Sequence, residues 1–193
     1  MGSCNRTVTL VPPGHYMWFT PDRGTSVKTL WIVRHAKSSW SDPGLRDFDR
    51  PLNRRGTRDA GRMGRFLARQ GDLPQRLLAS TARRAWDTAE LIARGIGYSA
   101  DDILPQPDLY DASVGEMLAV IHDIDQTHAS VMLFSHNPGV TDLTNALTGS
   151  SIGNVPTCGV ARVTLDVDTW TAVKPARGKL VSFYVPKELD VPG

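Results

Sequence analysis

The chain has 193 residues, 40% of them hydrophobic and 22% charged, and a formal net charge of +2. These values fit one globular domain with a buried core and argue against disordered, collagen-like and low-complexity chains. Cys4 and Cys158 lie far apart and in no metal-ligating spacing, so neither a disulfide framework nor a zinc knuckle is expected, and the cysteine usage reads as intracellular.

Residues 1–27 carry Pro12, Pro13 and Gly14 and show no sustained periodicity; they read as a poorly ordered N-terminal extension ahead of a functional domain over 28–193. The extension lacks the continuous apolar core of a signal peptide, and no stretch reaches the ~20 apolar residues that span a bilayer. A cytoplasmic location with no membrane partner is therefore expected.

From Lys28 to Val33 the chain is β-branched, aromatic and apolar, the pattern of a buried strand, and it ends at Arg34-His35. Residues 37–52 are rich in Ser, Asp, Pro and Gly and read as a loop. Asn53 caps a helix to about Gln70, with Ala60, Met63 and Leu67 inside, an arginine stripe outside, and Gly61 and Gly64 permitting close packing. A second strand over 76–80 precedes a helix from about Thr81 to Arg94 that stops at Gly95 and Gly97. After a connection over 98–112, Ser113 caps a helix to about Asp125. A third strand, 130–135, turns through His136-Asn137-Pro138-Gly139 into a helix over 140–147. Three runs, 160–166, 169–174 and 179–185, read as further strands. The alternation predicts an α/β fold: a three-layer α/β/α sandwich with a mostly parallel central sheet and an antiparallel edge.

Residues 34–84 hold 13 Lys and Arg against 5 Asp and Glu, and 17 of the chain's 22 basic residues are Arg. The planar guanidinium fork matches phosphate and carboxylate better than an ammonium does, which hints at an anionic ligand. Each of the three alternating strands ends at groups of that kind: Arg34-His35, Arg83-Arg84 and His136. Taken singly, a histidine at a strand end is most often a packing residue and an arginine beside it a solvated charge. Cations at a helix start, however, work against the helix dipole unless an anion is bound nearby. Ligands in such sheets sit beyond the carboxyl ends of the strands. Together the three endings predict one crevice holding two imidazoles and at least two guanidinium groups.

Several segments carry a family resemblance. Arg34-His35-Ala36 is similar to an Arg-His-Gly signature, and Arg50-Pro51-Leu52-Asn53-Arg54-Arg55-Gly56 to an Arg-Pro-Leu-Thr-x-x-Gly helix entry. Leu78-Ala79-Ser80-Thr81-Ala82-Arg83-Arg84-Ala85-Trp86-Asp87-Thr88-Ala89-Glu90 is similar to a Ser-Ser-Pro-x-x-Arg-Ala-x-x-Thr-Ala segment, and Ser135-His136-Asn137-Pro138 to Gly-His-Asn-Pro. Leu109-Tyr110-Asp111-Ala112-Ser113 is similar to Leu-Tyr-x-Ala-Ser. Over about residues 28–190 the sequence resembles the histidine phosphatase superfamily, and within it the small SixA-type phosphohistidine phosphatases. The fold so implied is phosphoglycerate mutase-like. Counting back from Thr88-Ala89 makes Arg84, rather than Arg83, the phosphate ligand. Ala36, Thr81 and Ser135 depart from the pattern; Ala36 and Ser135 put side chains where the family has glycine, which narrows the pocket but removes no charge.

The resemblance implies that His35 attacks phosphorus and that water then hydrolyses the phosphohistidine, releasing inorganic phosphate. A nucleophilic imidazole must be neutral, and neighbouring arginines favour that state. Phosphoryl transfer asks mainly for positioning and charge stabilisation. Arg34, Arg84 and His136 are the expected suppliers, no metal or other cofactor is expected, and Arg50 either contacts phosphate or pairs with Asp47 or Asp49. Asp111 is the best-placed candidate for a proton donor, or else a turn residue preceding the Ser113 cap. An imidazole leaves more readily than an alkoxide, so a site with a weak acid favours phosphoramidates.

The preferred reading is a phosphatase acting on phosphohistidine in another protein. Two alternatives stay open: a small-molecule monoesterase or mutase, and a noncatalytic module for phosphorylated or nucleic-acid ligands. The paired histidines argue against the latter, so a nucleic-acid partner is not expected. Asp166 and Asp168 read as a turn rather than a metal site, neither cysteine opens a phosphate loop, and Asn5-Arg6-Thr7 is a glycan acceptor without secretory context.

Overall fold

The computed structural model describes residues 27–189. The expectation for residues 1–27 lies outside these except at Val27, which opens the first strand, and Cys4 and Asn5 lie outside them too. In chain order the elements are β1 (Val27–Arg34), α1 (Arg54–Gln70), β2 (Arg76–Ala79), α2 (Arg83–Ile96), β3 (Leu104–Pro105), α3 (Val114–His122), β4 (Ser130–Ser135), α4 (Gly139–Thr148), β5 (Val160–Asp166) and β6 (Gly178–Tyr184). They form one sheet in the order β3-β2-β4-β1-β5-β6. Pairing is parallel from β3 through β1 and antiparallel along β5 and β6, giving the α/β fold with its antiparallel edge.

The central strands read as unbroken apolar runs because both of their faces are covered. Successive residues alternate between two cores. Leu30, Ile32, Val131 and Leu133 meet Met117 and Ile121 of α3 and Leu143 of α4. Trp31, Val33, Met132 and Phe134 meet Met63 and Leu67 of α1 and Ile92 of α2. The register then aligns the strand ends: Arg34 lies opposite Ser135, and Ala79 opposite Phe134. With β4 inserted between β1 and β2, residues 35, 136 and 80 emerge side by side at one edge of the sheet. No helix among the described residues is long and apolar enough to cross a membrane.

Three sequence expectations need correction. The run 169–174 is not a strand; Trp170–Ala172 form a single 3-10 turn. The Trp170 amide donates to Gln126 Oε1 at 2.7 Å and its indole to the His128 carbonyl at 2.8 Å, so this apolar run plugs a core instead of extending the sheet. Helix α3 ends at His122 rather than near Asp125, whose carboxylate accepts the Thr127 amide and hydroxyl at 2.8 Å each and so closes a turn. Helix α2 starts at Arg83, runs through Gly95 and stops at Gly97, where φ is 76°.

Gly95 is a helix crossing point, not a stop. A Cβ added there would lie 2.6 Å from the carbonyl carbon of Gly64, and one added at Gly64 would lie 2.8 Å from the Ile92 oxygen, so only glycine lets α1 and α2 approach this closely. Gly61, read from sequence as equivalent to Gly64, has only the tip of Arg65 nearby, at 3.6 Å. Gly95→Ala is therefore expected to lower unfolding free energy by about 1–3 kcal/mol through overpacking, whereas Gly61→Ala should be neutral or stabilising by up to ~1 kcal/mol. Urea unfolding of the two variants side by side checks the contrast.

Candidate active site

The two imidazoles meet where the sheet predicts. His35 follows β1, with its amide bonded to the Ser135 carbonyl at 3.0 Å, and His136 follows β4; their ring centroids lie 5.0 Å apart. Both side chains are buried. Hydrogen bonds assign the tautomer of His35. His35 Nδ1–H donates to the Ala36 carbonyl at 2.8 Å, so Nε2 carries the lone pair, and that lone pair accepts Arg84 Nε–H at 3.3 Å. Ser80 Oγ lies 2.9 Å from His136 Nε2 and also accepts the Ala82 amide at 3.4 Å. His136 Nδ1 is buried without a hydrogen-bond partner. Arg34 Nε is likewise buried and unpartnered.

Unsatisfied polar groups of this kind are costly unless a ligand meets them. Two helices, α2 and α4, also begin at this edge of the sheet and favour negative charge there. Burial lowers the His35 pKa to about 4; its bond to the Ala36 carbonyl works in the opposite direction, while the charges of Arg84, Arg34 and Arg50 lower it further. Burial, followed by the neighbouring His35 and Arg84, holds His136 at about 3. Both rings are neutral at pH 7, and His35 Nε2 is a free base in a field of guanidinium groups.

The structure separates the two arginines that sequence leaves adjacent. The Arg84 side chain is 8% exposed and touches His35, whereas Arg83 is 59% exposed and lies 3.9 Å from Asp87 on the surface. Thr88 explains the spacing that picked out Arg84: its hydroxyl donates to the Arg84 carbonyl at 2.6 Å and accepts the Ala36 amide at 2.9 Å, locking α2 to the segment after His35. Arg34 is anchored through one terminal nitrogen to the Val155 carbonyl at 2.8 Å and Asn154 Oδ1 at 3.2 Å. Asn137 uses the same two acceptors, at 3.2 and 2.8 Å.

Arg50 is brought in by the turn into α1. The Asn53 amide bonds to the Lys37 carbonyl at 2.9 Å, and an added Cβ at Gly56 would lie 2.2 Å from that same oxygen, which accounts for the glycine of the helix entry. Arg50 pairs with Asp47, at 2.7 Å, and not with Asp49. Its other nitrogens donate to the Ser39 carbonyl at 3.0 Å and Ser38 Oγ at 2.7 Å, and its guanidinium carbon lies 3.2 Å from the ring centroid of Trp40. Asp111 is the sequence candidate that is not brought in. It is exposed, its φ is 51°, and its carboxylate bonds to none of these groups. The residue before it is: Tyr110 packs edge-on against His136 with centroids 5.4 Å apart.

A model of the histidine phosphatase superfamily (branch 1) matches residues 30–128. The chain belongs to this superfamily. An uncharacterized protein of Mycobacterium tuberculosis is 32% identical over 165 residues, an alignment covering 80% of this chain and 100% of that protein. A structure from Agrobacterium tumefaciens assigned as the phosphohistidine phosphatase SixA superposes with a TM-score of 0.70 at 30% identity, covering 82% of this chain and 98% of that one. A protein histidine phosphatase SixA complexed with tungstate superposes with a TM-score of 0.71 at 25% identity, covering 82% and 97%. The superfamily's fold is the phosphoglycerate mutase-like sandwich described above, and the chain is a phosphatase.

Sequence reasoning missed Asp47 as a hub, and it missed Tyr110, Ser80 and Trp40 altogether as site residues. Asp47 was visible only as one possible partner of Arg50. Ser135 was noted as a departure from glycine; its hydroxyl donates to the Leu109 carbonyl at 2.7 Å and so fastens the segment that carries Tyr110.

The depressed pKa values generate two expectations. Imidazole NMR of the folded protein should show His35 and His136 still neutral at pH 5, where an ordinary histidine is mostly protonated. The unfolded chain takes up protons near pH 6.5 and the folded one does so only near pH 4 and below, so stability should fall as pH drops from about 6.5 to 4. Urea midpoints at pH 7 and pH 5 measure that loss.

Proposed function

We propose that this phosphatase transfers a phosphoryl group to His35 and then to water, and that its substrate is a phosphohistidine in another protein. The phosphate ligands are Arg34, Arg84 and His136, with Arg50 at the rim. The observation that carries the reading is a deprotonated His35 Nε2 beside two buried nitrogens, Arg34 Nε and His136 Nδ1, that have no hydrogen-bond partner. A phosphoryl group supplies the electrophile for the first and an acceptor for Arg34 Nε–H, and it also accepts from His136 Nδ1–H in the tautomer whose Nε2 takes the Ser80 hydroxyl proton.

In the first step the His35 Nε2 lone pair bonds to phosphorus while the bond from phosphorus to the substrate's ring nitrogen breaks. The electron pair stays on that nitrogen. If the substrate ring enters protonated on its other nitrogen, it departs as neutral imidazole and needs no external acid. The second step mirrors the first: the proton on His35 Nδ1, held by the Ala36 carbonyl, lets His35 leave as a neutral ring when water attacks. The product departs as dihydrogen phosphate, which loses its surplus proton to solvent.

Protein phosphohistidine is favoured over an alcohol ester because the site offers no acid to an alkoxide. Burial raises the Asp47 pKa, but hydrogen bonding from Arg50 and the charge of Arg84 outweigh it and keep the carboxylate ionised. His136 is neutral. The likeness to SixA structures points the same way.

Trapping with labelled phosphohistidine peptide, quenched in alkaline detergent, should place alkali-stable, acid-labile label on His35, and His35→Ala should abolish both label and phosphate release. A phosphohistidine peptide should turn over much faster than sugar phosphates; the reverse order supports the monoesterase reading instead. Asp111→Asn should leave phosphohistidine turnover unchanged, and a loss of roughly 10²- to 10⁴-fold, typical of removing a general acid, would restore Asp111 as proton donor.

A further inference from the structure

We propose that Asp47 is the positioning residue of the site, fixing the Arg84 fork so that its remaining donors are presented to phosphate. This rests on the phosphatase reading of His35 and Arg84. Asp47 is the point where three elements converge. Its Oδ2 accepts from Arg84 at 2.8 Å and from the Tyr110 hydroxyl at 3.1 Å, its Oδ1 accepts from Arg50 at 2.7 Å, and its main-chain carbonyl accepts from the other terminal nitrogen of Arg84 at 2.6 Å.

The two Arg84 contacts set the plane of the guanidinium. One residue, through its backbone and its side chain, takes one N–H from each terminal nitrogen, so the fork cannot rotate without breaking both bonds. The third nitrogen is thereby aimed at His35 Nε2, at 3.3 Å. Arginine has five N–H donors; with three committed in this way, two are left for a ligand, and their direction is dictated by Asp47. The carboxylate also supplies the negative charge that a guanidinium in the first turn of α2 requires against the helix dipole. Asp47 itself is held by a short 3-10 turn, Asp47–Asp49, whose loop makes no other ion pair with α2 among the described residues.

A carboxylate bonded to the phosphate-binding arginines admits two roles with opposite signatures. A positioning residue strengthens anion binding and turnover; a mere occupant of the anion site competes with phosphate. Asp47 contacts Arg84 and Arg50 but neither Arg34 nor His136, whose buried Nε and Nδ1 have no hydrogen-bond partner, so it sits beside the phosphate position rather than in it.

The test compares wild type, Asp47→Asn, Asp47→Glu, Arg84→Lys and the Asp47→Asn/Arg84→Lys double variant, using phosphohistidine peptide as substrate and inorganic phosphate as competitive inhibitor. Asp47→Asn is expected to lower kcat by about 10- to 100-fold, the scale of a misaimed catalytic group, and to weaken phosphate inhibition, with partial recovery in Asp47→Glu. In the Arg84→Lys background the same substitution should cost no more than about twofold further, because the two residues act as one unit. Tighter phosphate binding by Asp47→Asn, an unchanged kcat, or losses that simply multiply in the double variant would each overturn the proposal. His35→Ala and Arg84→Ala separate the two levels: if neither affects phosphate release, the functional reading fails, and if both abolish it while Asp47→Asn does not, only the role of Asp47 fails.

Discussion

Arg84 donates its Nε–H to the lone pair of His35 Nε2, and an arginine can make that bond only to an unprotonated imidazole. The rest of the site follows from this pairing. Burial removes the solvent that would stabilise an imidazolium, and the surrounding guanidinium charges penalise it again, so the base stays free without a carboxylate partner on its ring. The backbone carbonyl of Ala36 completes the arrangement by holding the proton on the opposite nitrogen. His136 is kept neutral in the same way, with its Nε2 bonded to Ser80.

Positive charge crowded around a neutral base must itself be held in place, and the fold does this largely with backbone carbonyls and short polar side chains. Arg34 leans on Val155 and Asn154, Arg50 on Ser38 and Ser39, and Arg84 on Asp47. The anchors come from loops and a short 3-10 turn, while Arg34, His35, Arg84 and His136 come from strand ends or the first turn of a helix. Rigid elements thus give position and loops give orientation. Thr88 shows the economy of the scheme, since a single hydroxyl joins the segment after His35 to the helix that carries Arg84.

The strands, the helices and the meeting of four charged or basic groups were legible because they rest on periodicity and on one topological rule. Parallel strands put their carboxyl ends on one edge, and Arg34-His35, Arg84 and His136 are named by that edge. What was illegible depends on contacts distant in the chain. Thr169 to Val173 has strand composition, but Trp170 is drawn into the core by Gln126 and His128. Gly95 carries a helix-stop signal, yet a second glycine on another helix turns it into a crossing. Asp47 lies in a loop without periodicity, and its link to Arg84 spans 37 residues that no local pattern connects.

The strand order has a further consequence for how the protein is made. β4 is synthesised after both β1 and β2 yet lies between them, pairing Thr29 with Ser130 on one side and Arg76 with Val131 on the other. In a nascent chain that has not yet produced β4, β1 and β2 have no strand to join them, and the edge each will give to β4 is unpaired. Closure is nonlocal and comparatively slow. The same late insertion delivers His136, so the parallel part of the sheet and the pair of imidazoles are completed together, and no chain lacking β4 carries a working site.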